Sequence, residues 1–208
     1  MGKIKKIRLN KVKVRLADTK DPIASKISWD PVVPGGTRYK SQALFEEPDK
    51  VRISRSLTAT FRGIAFIVPG LFALICSFTV MASNDDSTLS TFLLVWGGMF
   101  SAFGLRTLTR NRKVIFDKSC GLYYFGFKQD VYDKIAPTEQ GNLKDIHAIQ
   151  LVRELMGCER KYVSHELNLI FRNGERLNVM DHAKKDAIED AAMRLGEFLD
   201  VPIWKAEY

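Results

Sequence analysis

The chain has 208 residues, 46% of them hydrophobic and 27% charged, and its 32 Lys plus Arg against 24 Asp plus Glu leave a formal net charge of +8. That apolar content excludes an intrinsically disordered chain, and the length allows one or two domains. Three cysteines and three histidines stand without any C-x-x-C, H-x-x-x-H or H-E-x-x-H spacing, so no disulfide framework, metal-ligand set or cofactor motif can be read from the sequence.

The chain opens on MGKIKKIRLNKVKVR, where seven of fifteen residues (Lys3, Lys5, Lys6, Arg8, Lys11, Lys13 and Arg15) are basic and none is acidic. Such a tract is drawn to anionic lipid at about 1 kcal/mol per base near the surface. Nucleic acid is the rival partner, set aside because no recognised nucleic-acid motif accompanies the tract. A pure topology determinant with no ligand is the plainest alternative. KVKVRL (Lys11 to Leu16) alternates strictly, the period of a half-buried strand. Residues 17 to 36 hold three prolines and a Gly-Gly pair and read as a loop or linker. TRYKSQALF and KVRISRS flank EEPD, which predicts a β-hairpin.

Residues 63 to 82 and 88 to 105 contain no Lys, Arg, Asp, Glu or His. Each is long enough to cross a hydrocarbon core of about 30 Å as a helix. The five residues SNDDS between them cannot recross a bilayer, so the expectation is a two-helix transmembrane hairpin. Bases number 15 in residues 1 to 62, none in 63 to 105 and 17 in 106 to 208. The positive-inside rule then puts both termini in the cytoplasm, as a multi-pass membrane protein. Ala73 with Ser77, Gly97 with Ser101 and Gly98 with Ala102 are small-xxx-small spacings and the expected packing seam. Pro69 predicts a kink in the first helix. No ionisable residue lies at membrane depth, which argues against a channel or proton relay.

From Arg110 onward strand signals dominate. KVIFD and LYYFGFK flank a Gly-closed turn, IHAIQLVREL follows a polar loop, and HELNLIF and RLNVM flank Asn173-Gly174, a strong hairpin signal. Leu167, Leu169, Phe171, Leu177 and Val179 share one face; Glu166, Asn168, Arg176 and Asn178 share the other. Ile188, Ala191, Ala192, Leu195, Phe198 and Leu199 recur at helical spacing from about Ala183, and Val201-Pro202-Ile203-Trp204 reads as an apolar plug that stops the helix.

GNLKDIHAIQL, HELNLIFRNGERLNVMDHA and FLDVPIW, in a run of strands closed by one amphipathic helix and attached to a membrane hairpin, resemble uncharacterised bacterial inner-membrane proteins that carry pleckstrin-homology-like domains. The resemblance implies an α+β membrane protein with an antiparallel β-sheet closed by a C-terminal α-helix. Its parts would be a basic cytoplasmic segment (1–62), the hairpin (63–105) and a PH-like domain (106–208). It also implies binding of lipid or protein, or scaffolding, rather than catalysis.

Residue chemistry adds little. Asp181-His182 joins the last strand to the helix, where backbone N–H groups could hold an anion, although Asp181 needs only to cap that helix. Cys120 sits in a tight turn, and Cys120 or Cys158 would need a histidine neighbour to act as a nucleophile. The sequence therefore points to a membrane-anchored, non-enzymatic binding or scaffold protein. Its expected partners are anionic membrane lipids and a protein, with a homo-oligomer left open. An immunity-type protein that neutralises a membrane-active toxin, and an enzyme using Asp181, His182 or a free cysteine, are the alternatives.

Overall fold

The structure is a computed structural model that describes residues 5–9, 12–16, 21–33, 36–37, 39–83, 87–109, 113–126, 140–156 and 162–207. The chain divides into two compact units, Met1–Ser54 with Lys113–Tyr208, and Arg55–Arg112.

The smaller unit is a pair of helices, α1 (Leu57–Ser83) and α2 (Ser87–Thr109), both long and apolar enough to cross a membrane. They run past the charge-free stretches at either end. Ser56 starts α1 by accepting the Ala59 backbone N–H on its hydroxyl at 3.2 Å. The helix continues through Pro69, which is exposed. The buried residues of α1 beyond Ala59 are Gly63, Gly70 and Ser77, and those of α2 are Ser90, Gly97 and Gly104. Each set repeats every seven residues, the period that keeps one seam facing a partner helix over many turns. The acidic loop residues Asp85 and Asp86 lie outside the described residues.

The larger unit holds two sheets. The five-stranded one runs β3 (Gln42–Glu47), β4 (Lys50–Arg55), β5 (Val114–Asp117), β6 (Leu122–Phe125) and β7 (Gln140–Asn142) in chain order. β4 and β5 pair antiparallel with Ile53 opposite Val114, so α1 and α2 are inserted into the sequence where a β-hairpin turn would stand.

The six-stranded sheet contains β1 (Lys5–Leu9), β2 (Val12–Leu16), β8 (Ile146–Met156), β9 (Tyr162–Phe171), β10 (Arg176–His182) and β11 (Ile203–Glu207), in the order β1-β2-β11-β8-β9-β10. Gly174 takes a φ of +87° in the Asn173-Gly174 turn, which a side chain would resist. Between β10 and β11 the chain forms α3 (Lys185–Leu199).

The chain's last described stretch departs from the sequence reading. Ile203 and Trp204 do not plug the helix; they open β11, which lies parallel to β8 with Ile203 opposite Ile149, and antiparallel to β2. The sheet is therefore mixed rather than antiparallel, because a strand returning over a helix from β10 arrives parallel to β10 and β8.

One core lies between the two sheets and α3, built from Val51, Ile53, Val114, Phe116, Ile149, Leu167, Leu169, Ile188 and Leu195, among others. A second, smaller core covers the other face of the six-stranded sheet, where Ala24, Ile27 and Trp29 meet Ala148, Ile170 and Trp204. Residues 21–33 and 36–37 are thus no free linker. Asp21 accepts the Ile23 N–H, Ile27 N–H bonds the Ile23 carbonyl in one helical turn, and Trp29 closes on Trp204 with ring centroids 6.5 Å apart.

The same segment seals the polar face of β9 and β10. Glu166 and Asn168 are fully buried, and the Glu166 carboxylate accepts the backbone N–H of Val32 at 2.8 Å and of Val33 at 3.0 Å. Further along, Thr37 N–H donates to Ser164 Oγ and Gly36 N–H to Glu154. Polar side chains on this face replace the strand partners that a loop with three prolines cannot supply.

Candidate functional site

The basic tract falls into the β1–β2 pair. Lys5, Lys6 and Arg8 belong to β1 and Lys13 and Arg15 to β2, while Lys3 and Lys11 lie outside the described residues. The register sets Lys6 opposite Arg15 and Arg8 opposite Lys13, with Lys5 opposite Leu16. Positions 6, 8, 13 and 15 therefore share one face of the sheet, and position 5 belongs to the other. Lys205 of β11 stands next in line, opposite Arg15.

In the helix pair, Ser77 and Gly97 are buried, and Ser77 donates its hydroxyl to the Ser90 carbonyl at 2.7 Å. Ser101 touches the seam at Gly70, where an added Cβ would come within 2.5 Å of its hydroxyl. Ala73 is half-buried, Ala102 is exposed, and Gly98 faces open space. Gly63, Gly70 and Gly104 carry the closest approaches and were missed by a search at four-residue spacing, because the seam repeats at seven.

Asp181 and His182 do not converge on a common point. The Asp181 carboxylate accepts from Asn178 Nδ2 at 3.0 Å, and its backbone N–H donates to Gln42 Oε1. It caps no helix: α3 starts after Lys184, which makes no side-chain cap bond, and β10 runs on through His182. His182 is fully buried, and its Nδ1 lies 2.9 Å from the Lys184 backbone nitrogen and 3.0 Å from the Lys184 carbonyl oxygen. Burial lowers the pKa of this imidazole and that of His165, its cross-strand neighbour. Burial thus works against the positive charge that an anion would need here.

Cys120 stands in the turn closed by Gly121, with its thiol directed at the Asp117 carbonyl, and Cys158 lies outside the described residues. His147 is engaged with Asp21 at 2.7 Å and lies edge-on to Trp204. Among the described residues no group of three or more His, Cys, Asp or Glu is placed to hold a metal ion.

The larger unit also carries a cleft of about 410 Å³ where strands of both sheets meet. Its floor is Tyr123 of β6, stacked on Phe171 of β9 at 5.6 Å between centroids. The Tyr123 ring lies against Gly141 of β7, where a Cβ would come within 2.6 Å of it; only glycine admits the ring. Gln140 lines the cleft and keeps its Oε1 buried without a hydrogen-bond partner among the described residues. Asp145 and Glu175 stand at the rim, both exposed. Burial first, then the negative charge of Asp145 and Glu175, raises the pKa of the Tyr123 phenol. Arg172 is the one lining cation among the described residues, and its Nε donates to the Lys144 carbonyl at 2.9 Å. No local motif marks this site in the sequence, since its residues come from three strands, a short helical turn and a hairpin tip far apart in the chain. No protein-family model matches this chain, and no curated protein sequence matches it either.

Proposed function

We propose that the protein is a membrane-anchored, non-enzymatic binding module of a bacterial inner membrane, with α1 and α2 spanning the bilayer as a hairpin and both termini in the cytoplasm. The larger unit, in this reading, is a pleckstrin-homology-like domain that docks protein or lipid head groups on the cytoplasmic face. The observation that carries the proposal is the outer surface of the helix pair. Phe61, Phe72, Phe78, Phe92, Trp96 and Phe103 are all about half exposed or more. A patch of that size costs about 25 cal/mol per Å² in water and calls for a lipid or protein solvent. The close glycine seam supports the same reading, because helices in lipid associate through small residues rather than by expelling water. Two sheets around one core with a packed helix support the domain assignment, and the registered basic positions of β1 and β2 support an anionic surface as neighbour.

Cysteine accessibility tests the arrangement. In a cysteine-free background, Ser87→Cys should react with an impermeant maleimide added outside spheroplasts, and Glu207→Cys should react only after lysis. The opposite pattern, or labelling of both from outside, would overturn the topology.

A further inference from the structure

The six-stranded sheet ends on β1, which has β2 on one side and no strand on the other among the described residues. The opposite end of that sheet is covered: Ser41 Oγ donates to the Asp181 carbonyl, Gln42 Nε2 to the Val179 carbonyl, and Gln42 Oε1 accepts the Asp181 N–H. The register of β1 on β2 decides which backbone groups stay open. Leu9 pairs with Val12 across two residues, a spacing at which the pair exchanges both N–H···O=C bonds. Bonded and non-bonded pairs alternate in an antiparallel ladder, so Ile7–Val14 is bonded while Lys6–Arg15 and Arg8–Lys13 are not. The N–H and C=O groups of Lys6 and Arg8 therefore point away from β2, along the open edge.

Charge then selects the partner. Lys6 and Arg8 share a face with Lys13 and Arg15, and Ile7 and Leu9 share the other with Val12 and Val14. The neighbour on the far side of β2 already fits this pattern, since β11 sets Glu207 opposite Lys13 and Ala206 opposite Val14. A second copy of β1 does not fit it: the antiparallel register that uses both open residues sets Lys6 of one copy opposite Arg8 of the other, a destabilising like-charge pair. We infer that the edge of β1 takes an extended segment of a partner protein as a further strand, with acidic residues opposite Lys6 and Arg8 and an apolar one opposite Ile7. Main-chain bonds hold such a strand and its alternate side chains specify it. The bases that keep a second copy off the edge are the ones that admit an acidic strand. The inference rests on the binding-module reading and names its protein partner. It needs backbone groups that a lipid surface does not use, so the two can fail separately.

Fluorescence anisotropy on the full chain in dodecyl maltoside micelles tests it, with labelled peptides of sequence TEVEVEVT, TKVKVKVT and TEVEPEVT as probes. Saturable binding of the first, about tenfold or more tighter than that of the other two, is the expected result. Lys6→Gln with Arg8→Gln should weaken it about tenfold, as the loss of two cross-strand charge pairs does. Arg8→Pro removes an outward N–H and leaves the β1–β2 bonds in place, so it should weaken binding well beyond Arg8→Gln. Both variants lose the same charge, and phosphatidylglycerol vesicles should not tell them apart. Hydrogen exchange on the unaltered chain gives a reading that needs no variant: bound TEVEVEVT should slow exchange in residues 5–9 more than in 12–16, which already lie between two strands. No saturable binding of TEVEVEVT at millimolar concentration, equal binding of TKVKVKVT, equal losses in Arg8→Pro and Arg8→Gln, or protection confined to other segments would overturn the inference.

Discussion

Gly70 and Gly97 face each other across the helix pair: a Cβ on Gly97 would stand 2.8 Å from the Gly70 carbonyl oxygen, and one on Gly70 2.9 Å from that of Gly97. Real side chains do not tolerate such contacts, so the helices must part if either glycine is lost. Gly98, one residue on, has open space where its Cβ would be. Gly97→Val should therefore destabilise the helix pair by about 1–3 kcal/mol, as overpacking does elsewhere. Gly98→Val, with the same change in helix propensity, should stay within about 0.5 kcal/mol of the parent. SDS-driven unfolding in mixed micelles reads both; equal effects would remove the seam.

Glu166 holds the segment over the six-stranded sheet through the backbone N–H groups of Val32 and Val33, and accepts a further bond from the Asn168 amide on its own strand. Glu166→Ala orphans these donors at about 1–3 kcal/mol for each group left buried. Tryptic cleavage after Lys26, which is exposed, should then accelerate as the segment loosens. Gly36→Ala should act in the same direction, since its Cβ would collide with Ser164 at 2.2 Å. Unchanged cleavage in both variants would show that the apolar contacts of Ala24, Ile27 and Trp29 suffice to hold the segment.

The charge-free spans located α1 and α2, and Asn173-Gly174 located a hairpin, because both signals are local. Helix α3 was legible from Ile188, Ala191, Ala192 and Leu195, which the structure buries. The covering segment was not, because Ile27 and Trp29 are isolated apolar residues in a Pro- and Gly-rich stretch, and their burial depends on Ile170 and Trp204 far along the chain. Strand β11 was hidden for the same reason: Ile203 pairs with Ile149 across a helix, and Val-Pro before it reads locally as a stop. The cleft was hidden entirely, since Tyr123, Gln140, Asp145 and Phe171 meet only once both sheets form.

His165 and His182 give the fold a pH dependence of defined sign. Burial lowers both pKa values below the ordinary 6.5, so the unfolded chain binds protons more readily than the folded one. Stability is then fully present above the unfolded value and falls as pH drops through it, levelling once the folded values are reached. The slope is at most about 1.4 kcal/mol per pH unit for each ring. Urea midpoints measured between pH 8 and pH 5 should fall on the acid side, and His182→Gln should flatten the curve. A midpoint that rises on acidification would contradict the burial of these rings.

Ile53 pairs with Val114, and the whole of Arg55–Arg112 intervenes between these neighbouring strands. Replacing that stretch by Asn-Gly between Ser54 and Lys113 supplies the two-residue turn that antiparallel strands favour. The product should be soluble without detergent and show a mainly β circular dichroism spectrum with the contribution of α3. Aggregation, or loss of sheet signal, would mean that the larger unit needs the helices to fold.

That helix-free version makes the basic face measurable without the two apolar helices. Positions 6, 8, 13 and 15 lie together on one face and position 5 on the other, so a membrane met by that face distinguishes them. The protein should bind phosphatidylglycerol vesicles at low ionic strength and release as the Debye length falls from about 10 Å at 0.1 M salt toward 3 Å at 1 M. At about 1 kcal/mol per base, Lys6→Gln with Arg8→Gln should weaken binding by about 2 kcal/mol, roughly thirtyfold. Lys5→Gln should cost less than either change alone, because its position belongs to the opposite face. Equal binding to neutral phosphatidylcholine, or insensitivity to salt, would leave the tract a topological signal with no lipid ligand, and a Lys5 effect as large as that of Arg8 would remove the preference for one face.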